Sequence, residues 1–191
     1  MLGRQAKIVS PGTLRRMLAY ARRARRPKRD TVIVLLSVKA GLRACEIAGL
    51  QWSMVMTDDG KISDAVDIRN AIAKRGSGRR IPMHPSLQRA LAELWRVRTS
   101  DTHIVASNRG GAMHANSIVN WFVAMFAELE LQGCSSHSGR RTFITAAARN
   151  VHRAGGSLRD VQLLAGHQSI DTTQRYIDGD TIAQRKLITL L

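Results

Sequence analysis

The sequence predicts a mainly α-helical domain with a small antiparallel β-sheet, an α+β fold. Three observations predict it. Apolar residues recur at three- and four-residue spacing through most of the chain. One stretch, Met54 to Met83, breaks that rhythm with turn signals and a run rich in Val and Ile. Hydrophobic residues make up 44% of the 191 residues, ample for a core and inconsistent with general disorder. That length fits one domain, read as residues 11–191 behind an N-terminal extension over residues 1–10.

Ser10-Pro11 starts the first helix, with Leu14, Met17, Leu18 and Ala21 recurring at helical spacing. It runs into Arg22, Arg23, Arg25, Arg26, Lys28 and Arg29, interrupted by Pro27. This basic run reads equally as a solvated linker or as a phosphate-contacting patch. Asp30 is expected to cap an apolar helix, Thr31 to Ala40, that ends at Gly41. A short helix over Arg43 to Leu50 follows directly.

Asp58-Asp59-Gly60 marks a turn, and Ala65 to Ala73 has strand composition. Arg75-Gly76-Ser77-Gly78 forms a hairpin loop before Arg79 to Met83 returns. Together they predict an antiparallel sheet of about three strands. Helical spacing resumes over Pro85 to Val97, then His103 to Ser107 reads as extended and Asn108 to Gly111 as a loop. Ser117 to Leu129 is a helix with Ile118, Trp121, Phe122, Met125 and Phe126 at core spacing. After a break at Gly133 to Ser136, a helix runs from His137 to about Asn150. Ser157 caps another, which Gly166 ends, and Ser169 or Asp171 caps the helix expected to carry Tyr176. The last segment, Thr181 to Leu190, is weakly amphipathic through Ile182, Leu187 and Leu190.

The charge is one-sided: 30 Lys and Arg against 14 Asp and Glu, a net of +16. On a folded domain that is an electrostatic footprint for a polyanion, most simply nucleic acid. With aromatics at only 4%, a base-stacking surface for single strands is disfavoured. Two cysteines, Cys45 and Cys134, give neither a disulfide framework nor a metal-ligand spacing, so no metal is expected. No apolar run approaches a membrane span and the first residues carry no signal-peptide core, so a cytoplasmic, DNA-associated protein is expected.

Two arginines, two histidines and a late tyrosine form a set with chemical meaning. Tyr176 is one of two tyrosines and lies nine residues after His167, in LLAGHQSIDTTQRYI. His137 and Arg140 are three apart, and so share one face of a helix. An arginine fork matches two phosphate oxygens and cannot be deprotonated. Arg43, far upstream, is the candidate for a second arm of such a clamp, with Glu46 placed to orient it. A tyrosine hydroxyl, with an ordinary pKa near ~10, needs a proton acceptor or a cationic site to become a nucleophile. Phosphodiester cleavage expels an alkoxide, which needs an acid; Lys74, beside Gly76 and Gly78, is the natural donor. Lys61, Arg75 and Arg79 lie near enough in sequence to substitute for it. Arg75, Arg79, Arg80 and Arg141 are the candidate DNA contacts.

In sequence order, GLRACEIAGL, KRGSGRRIPMH, HSGRRTFIT, LLAGH and TTQRYI resemble the boxes of the tyrosine recombinase (phage integrase) family, over roughly Pro11 to Ile177. The resemblance implies that family's catalytic-domain fold, with all six active-site positions filled. It implies that Tyr176 attacks a DNA phosphodiester to give a 3′-phosphotyrosyl link and a free 5′-hydroxyl. Arg43 and Arg140 would stabilise the pentacoordinate phosphate, and His167 would add a hydrogen bond to it. His137 would accept the Tyr176 proton or contact the phosphate, and Lys74 would protonate the departing 5′ oxygen. Neither ATP, metal nor another cofactor is implied. The partner would be double-stranded DNA, with a homo-oligomer, a tetramer on DNA, formed through the C-terminal segment.

Two departures from the family pattern stand out: Gly139, where a bulkier apolar residue is usual, and Cys45, where a small hydroxyl residue is frequent. A third is at the front, where the N-terminal core-binding domain of most members is expected to be missing. Gly139 is expected to loosen the start of its helix. Two other readings compete: a type IB topoisomerase sharing the same chemistry, and a DNA-binding regulatory protein that kept the fold without catalysis.

Overall fold

Ser10 sets the first helix, since its Oγ accepts the Thr13 amide at 3.1 Å. Pro11, whose missing N–H costs nothing in a first turn, then opens α1, Pro11–Arg23. The computed structural model describes residues 6–107, 111–176, 188 and 189. Two residues just before α1 are anchored: the Lys7 amide donates to the Gly133 carbonyl at 2.9 Å and that of Val9 to Thr142 Oγ1 at 2.7 Å.

The next helix, α2, runs Pro27–Lys39 and starts earlier than the sequence suggested. Pro27 takes the first helical position, and the Asp30 amide already closes a turn on the Arg26 carbonyl at 3.0 Å. Asp30 is therefore no cap; it is buried in the first turn and paired with Arg29 Nε at 2.8 Å. Val32, Ile33 and Leu36 are fully buried, and α1 packs against α2. Gly41 ends the helix at φ 65°, and the Leu42 N–H turns back to the Leu36 carbonyl. Helix α3, Ala44–Gly49, follows with Arg43 as its N-cap.

The sheet has two strands rather than about three: β1, Ala65–Ile68, pairs antiparallel with β2, Arg79–Pro82. The register sets Val66 against Ile81 and Ile68 against Arg79. Ahead of β1, Met56 and Ile62 form only an isolated bridge across the Asp58–Gly60 turn. Beyond Ile68 the chain turns, with Ile72 and Ala73 donating to the Arg69 carbonyl, so the expected strand to Ala73 is cut short. A 3-10 turn, Lys74–Gly76, makes the tip. Helix α4, Pro85–Trp95, packs on α2, and α5, Ala115–Glu128, packs on α3.

The chain divides into two compact units, Met1–Phe143 and Ile144–Leu191, with the boundary inside α6, Ser138–Asn150. The second unit holds α7, Leu158–Ala165, and α8, Ile170–Gln174, packed on each other. Ser157 and Asp160 form a capping box at the start of α7, and Gly166 at φ 62° ends it. Ser169 caps α8. Tyr176 does not lie in that helix as expected: α8 stops at Gln174, and the Tyr176 amide closes a final turn on the Thr173 carbonyl at 3.1 Å.

Most of the expected Asn108–Gly111 loop and of the Thr181–Leu190 segment lies outside the described residues. Among the described residues no helix is long and apolar enough to cross a membrane.

Candidate active site

The first unit builds its cluster around one buried carboxylate. Glu46, in the first turn of α3, has a side chain with no exposure. Its two oxygens take four hydrogen bonds, each of 2.9 Å. Arg79 supplies two, Nη1 to Oε1 and Nη2 to Oε2, and Arg43 supplies two, Nη1 to Oε1 and its backbone N–H to Oε2. Burial pushes the carboxyl pKa up, but the hydrogen bonds and charges of Arg79 and then Arg43 outweigh it and hold it below the ordinary value. Glu46 is thus an anion between two cations, and it orients Arg43, whose side chain is 18% exposed.

Arg140 joins the same frame from 99 residues away, donating from Nη1 to the Gly41 carbonyl at 2.7 Å while 4% exposed. The contact depends on how α6 enters. Gly139 lies where α6 meets α2, and a Cβ there would strike the Ser37 side chain, 2.9 Å from its Cβ. Gly139 therefore serves a close helix approach rather than loosening the helix start. Arg43 and Arg140 are brought to one three-residue segment, Gly41 to Arg43.

His137 precedes α6 and is exposed, its carbonyl accepting the Arg141 amide at 2.9 Å. Lys74 is exposed at the hairpin tip, beside Arg75 at φ 59°. The structure gives neither of them a hydrogen bond to the Glu46 cluster.

The four expected DNA contacts differ in kind. Arg75 is exposed, and Arg80, 63% exposed, pairs loosely with Asp67 and Asp64 at the sheet edge. Arg79 departs from expectation, because its side chain is 5% exposed and its fork is committed to Glu46. Arg141 is partly buried and donates to the Ala6 carbonyl at 2.6 Å. A cleft of about 310 Å³ along α1, α2 and α4 contains none of these residues.

In the second unit, the His167 and Tyr176 rings stack with centroids 5.6 Å apart and planes 21° from parallel. Two residues missed by sequence reasoning hold the histidine. Thr173, fully buried on α8, bonds His167 Nδ1 through Oγ1 at 2.9 Å. Gln162, buried on α7, donates to the His167 carbonyl at 2.9 Å and accepts the His167 amide at its own carbonyl. The signal available was a polar side chain at a core position of a short helix, ambiguous without the tertiary contact.

A profile described as the phage integrase family matches residues 7–181. The chain belongs to that family. Among curated relatives, this integrase-family chain is 27% identical over 154 residues to the tyrosine recombinase XerC of Xanthomonas campestris pv. campestris. That match covers 80% of this chain and 45% of XerC. It is 29% identical over 159 residues to XerC of Brucella suis, covering 80% and 47%. The chain thus spans about half the length of the curated relatives it matches.

Among solved structures, XerA recombinase superposes with a TM-score of 0.74 at 23% identity, over 96% of this chain and 64% of that one. XerH recombinase bound to its difH substrate, a pre-cleavage complex, gives 0.72 at 16% identity, over 98% and 55%. The integrase-family fold is shared at this level.

Proposed function

We propose that this chain cuts and rejoins double-stranded DNA as the catalytic part of a site-specific recombinase, through a 3′-phosphotyrosyl intermediate. The observation that carries the reading is the convergence of Arg43 and Arg140 on the Gly41–Arg43 segment of an integrase-family chain. Two guanidinium groups so held form a clamp for the two non-bridging oxygens of a phosphodiester.

Tyr176 Oη gives its proton to His137 and attacks phosphorus, while His167 donates a hydrogen bond to a phosphate oxygen. The bond from phosphorus to the 5′ oxygen breaks, and Lys74 Nζ protonates that oxygen. The products are a 3′-phosphotyrosyl link and a free 5′-hydroxyl. A 5′-hydroxyl from a partner duplex then attacks phosphorus, returning its proton to Lys74, while the bond from phosphorus to Tyr176 Oη breaks and His137 returns its proton so that Tyr176 leaves as phenol. One phosphoester replaces another at each step, so rejoining requires no ATP, and Arg43, Arg140 and Lys74 supply the charge a metal would otherwise provide. Arg75 and Arg80 contact flanking phosphates, and copies assemble on DNA through Thr181–Leu190. The working location is DNA itself, in the nucleoid.

The test is covalent trapping on nicked duplexes, in EDTA and without ATP, on a denaturing gel. A covalent band carrying a 3′-phosphate link, lost in Tyr176→Phe, is the expected result. Relaxation of any supercoiled plasmid without site preference would favour a type IB topoisomerase. Tight duplex binding with no adduct on any nicked site drawn from a randomised pool would overturn the enzyme reading and leave a DNA-binding protein.

A further inference from the structure

We propose that Arg79 is a positioning residue for the cleavage step: it neutralises Glu46, so that Arg43 keeps its charge and its remaining donors for the scissile phosphate. The inference rests on the recombinase reading for its chemistry, and on the Glu46 cluster for its geometry.

The cluster holds one negative charge between two positive ones. Glu46 is unexposed, and all four of its hydrogen bonds measure 2.9 Å. Arg79 binds it fork to fork, one nitrogen to each oxygen, the strongest arrangement such a pair can take. Arg43 contributes only Nη1 from its guanidinium, to an oxygen that Arg79 also holds. Its Nε and Nη2 make no hydrogen bond to Glu46, and the cluster as a whole carries one net positive charge.

Without Arg79 that balance inverts. The nearest cation left to a buried carboxylate is Arg43, only three residues away. Its fork would rotate to bind Glu46 with two nitrogens, and its charge would be cancelled. The clamp would then face the phosphate with Arg140 alone.

Arg79 has a second consequence through the chain. It is the first residue of β2 and stands five residues after Lys74, at the base of the hairpin that carries this lysine. Its ion pair with Glu46 spans 33 residues and ties that base to the N-terminus of α3. The same side chain thus registers the loop of the general acid against the helix that presents the clamp.

The experiment compares Arg79→Met, Arg79→Lys and the double variant Arg79→Met/Glu46→Gln, with rates counted per folded molecule. The duplex is one selected from a randomised pool by wild-type binding, nicked to trap the adduct. Arg79→Met is expected to slow cleavage by about tenfold to a hundredfold, less than the roughly 10²–10³ expected for removing an oriented donor outright. A methylphosphonate at the scissile position removes one phosphate charge, and the defect should shrink on it. A 5′-bridging sulfur leaves without an acid, and any share of the defect due to Lys74 should vanish there. The double variant removes the competing carboxylate and should recover much of the rate even though it carries more changes. Arg79→Lys keeps the charge without the fork and should fall between.

A purely structural role predicts an equal defect on every substrate and no recovery in the double variant; that result would overturn the proposal. A second readout is independent of catalysis: the side-chain Nε–H signal of Arg43 by NMR, with inorganic phosphate as the titrant. Arg79→Met should move this signal and weaken its response to phosphate at least several-fold, and an unchanged signal would overturn the proposal. Absence of any adduct with the wild-type protein would refute the recombinase reading alone, and the NMR arm would still decide for or against Arg79.

Discussion

Substituting Gly139 by alanine adds a single methyl group where α6 enters against α2. In that place the new Cβ meets the Ser37 hydroxyl, the Ser37 Cβ at 2.9 Å and the Ser37 backbone carbon at 3.0 Å. Carbon atoms in contact settle at about 3.5–4.0 Å, so the helices must part by roughly 0.5–1 Å. Rotating Ser37 cannot relieve this, because two of the three atoms are fixed to the backbone of α2. Overpacking of this kind costs about 1–3 kcal/mol. Alanine returns somewhat less than about 1 kcal/mol in a first helical turn. The expected net loss is about 1–2 kcal/mol, or roughly 2–8 °C in Tm for a chain of this size.

The functional loss should be larger than the loss of stability. Arg140 is the next residue, and its 2.7 Å bond to the Gly41 carbonyl fixes one arm of the clamp. A displacement of about 1 Å at a reacting centre can cost on the order of a hundredfold in rate. Denaturant unfolding and adduct formation would be measured for Gly139→Ala, Ser37→Gly and the double variant. Among the described residues the buried Ser37 Oγ has no hydrogen-bond partner, so its loss forfeits no polar contact there. The double variant should therefore regain about 1 kcal/mol relative to additive behaviour, within the range seen for residues in contact. An additive cycle, or a Gly139→Ala protein as stable and active as its parent, would refute the close-approach argument.

Thr173→Val keeps the shape of a buried side chain and removes the hydroxyl that holds His167 Nδ1. It should cost about 1 kcal/mol in unfolding free energy, together with a fall in adduct rate that Thr173→Ser restores. The Glu46 carboxyl is held below its ordinary pKa, so its stabilising contribution is present above the unfolded value near ~4.3 and fades as pH falls through the folded one. The stability gap between the parent and Glu46→Gln, followed by urea unfolding, should accordingly be wide at neutral pH and narrow in strong acid; a gap independent of pH would refute the pairing. Gly166, at φ 62°, turns the chain from α7 into His167. Gly166→Ala should lower stability by about 1–2 kcal/mol in thermal melts.

Helix ends were legible wherever the stop or start is a local matter. Ser10, Ser157 with Asp160, Gly41 and Gly166 act through their own backbone neighbours, and each does what its residue type suggests. The errors fall where distant partners decide. Asp30 resembles a cap, yet Pro27 allows the helix to begin one turn sooner and Arg29 takes the carboxylate. Ile72 and Ala73 resemble strand residues, yet Ile72 owes its apolar side chain to packing under α3, where its Cγ2 lies 2.7 Å from a Cβ placed at Gly49. Apolar composition records burial, and it does not record which element does the burying.

The arginines of β2 are the sharper case. Arg79 and Arg80 are adjacent and chemically identical, yet one is 5% exposed and the other 63%. Strand geometry separates them, because successive side chains leave opposite faces. Ile81 is 1% exposed and fixes the inward face, so Arg79, two residues earlier, must point inward as well. Pairing agrees, since Arg79 stands opposite Ile68 and Ile81 opposite Val66, both of them buried. An inward arginine at the edge of a core requires an acid, since a buried charge without a partner costs several kcal/mol. Glu46 lies in an otherwise apolar stretch, Glu46-Ile47-Ala48-Gly49-Leu50, and has the complementary need. Alternation with the buried Ile81 therefore accounts for the ion pair that Arg79 makes. Only the identity of its partner, 33 residues away, required the fold.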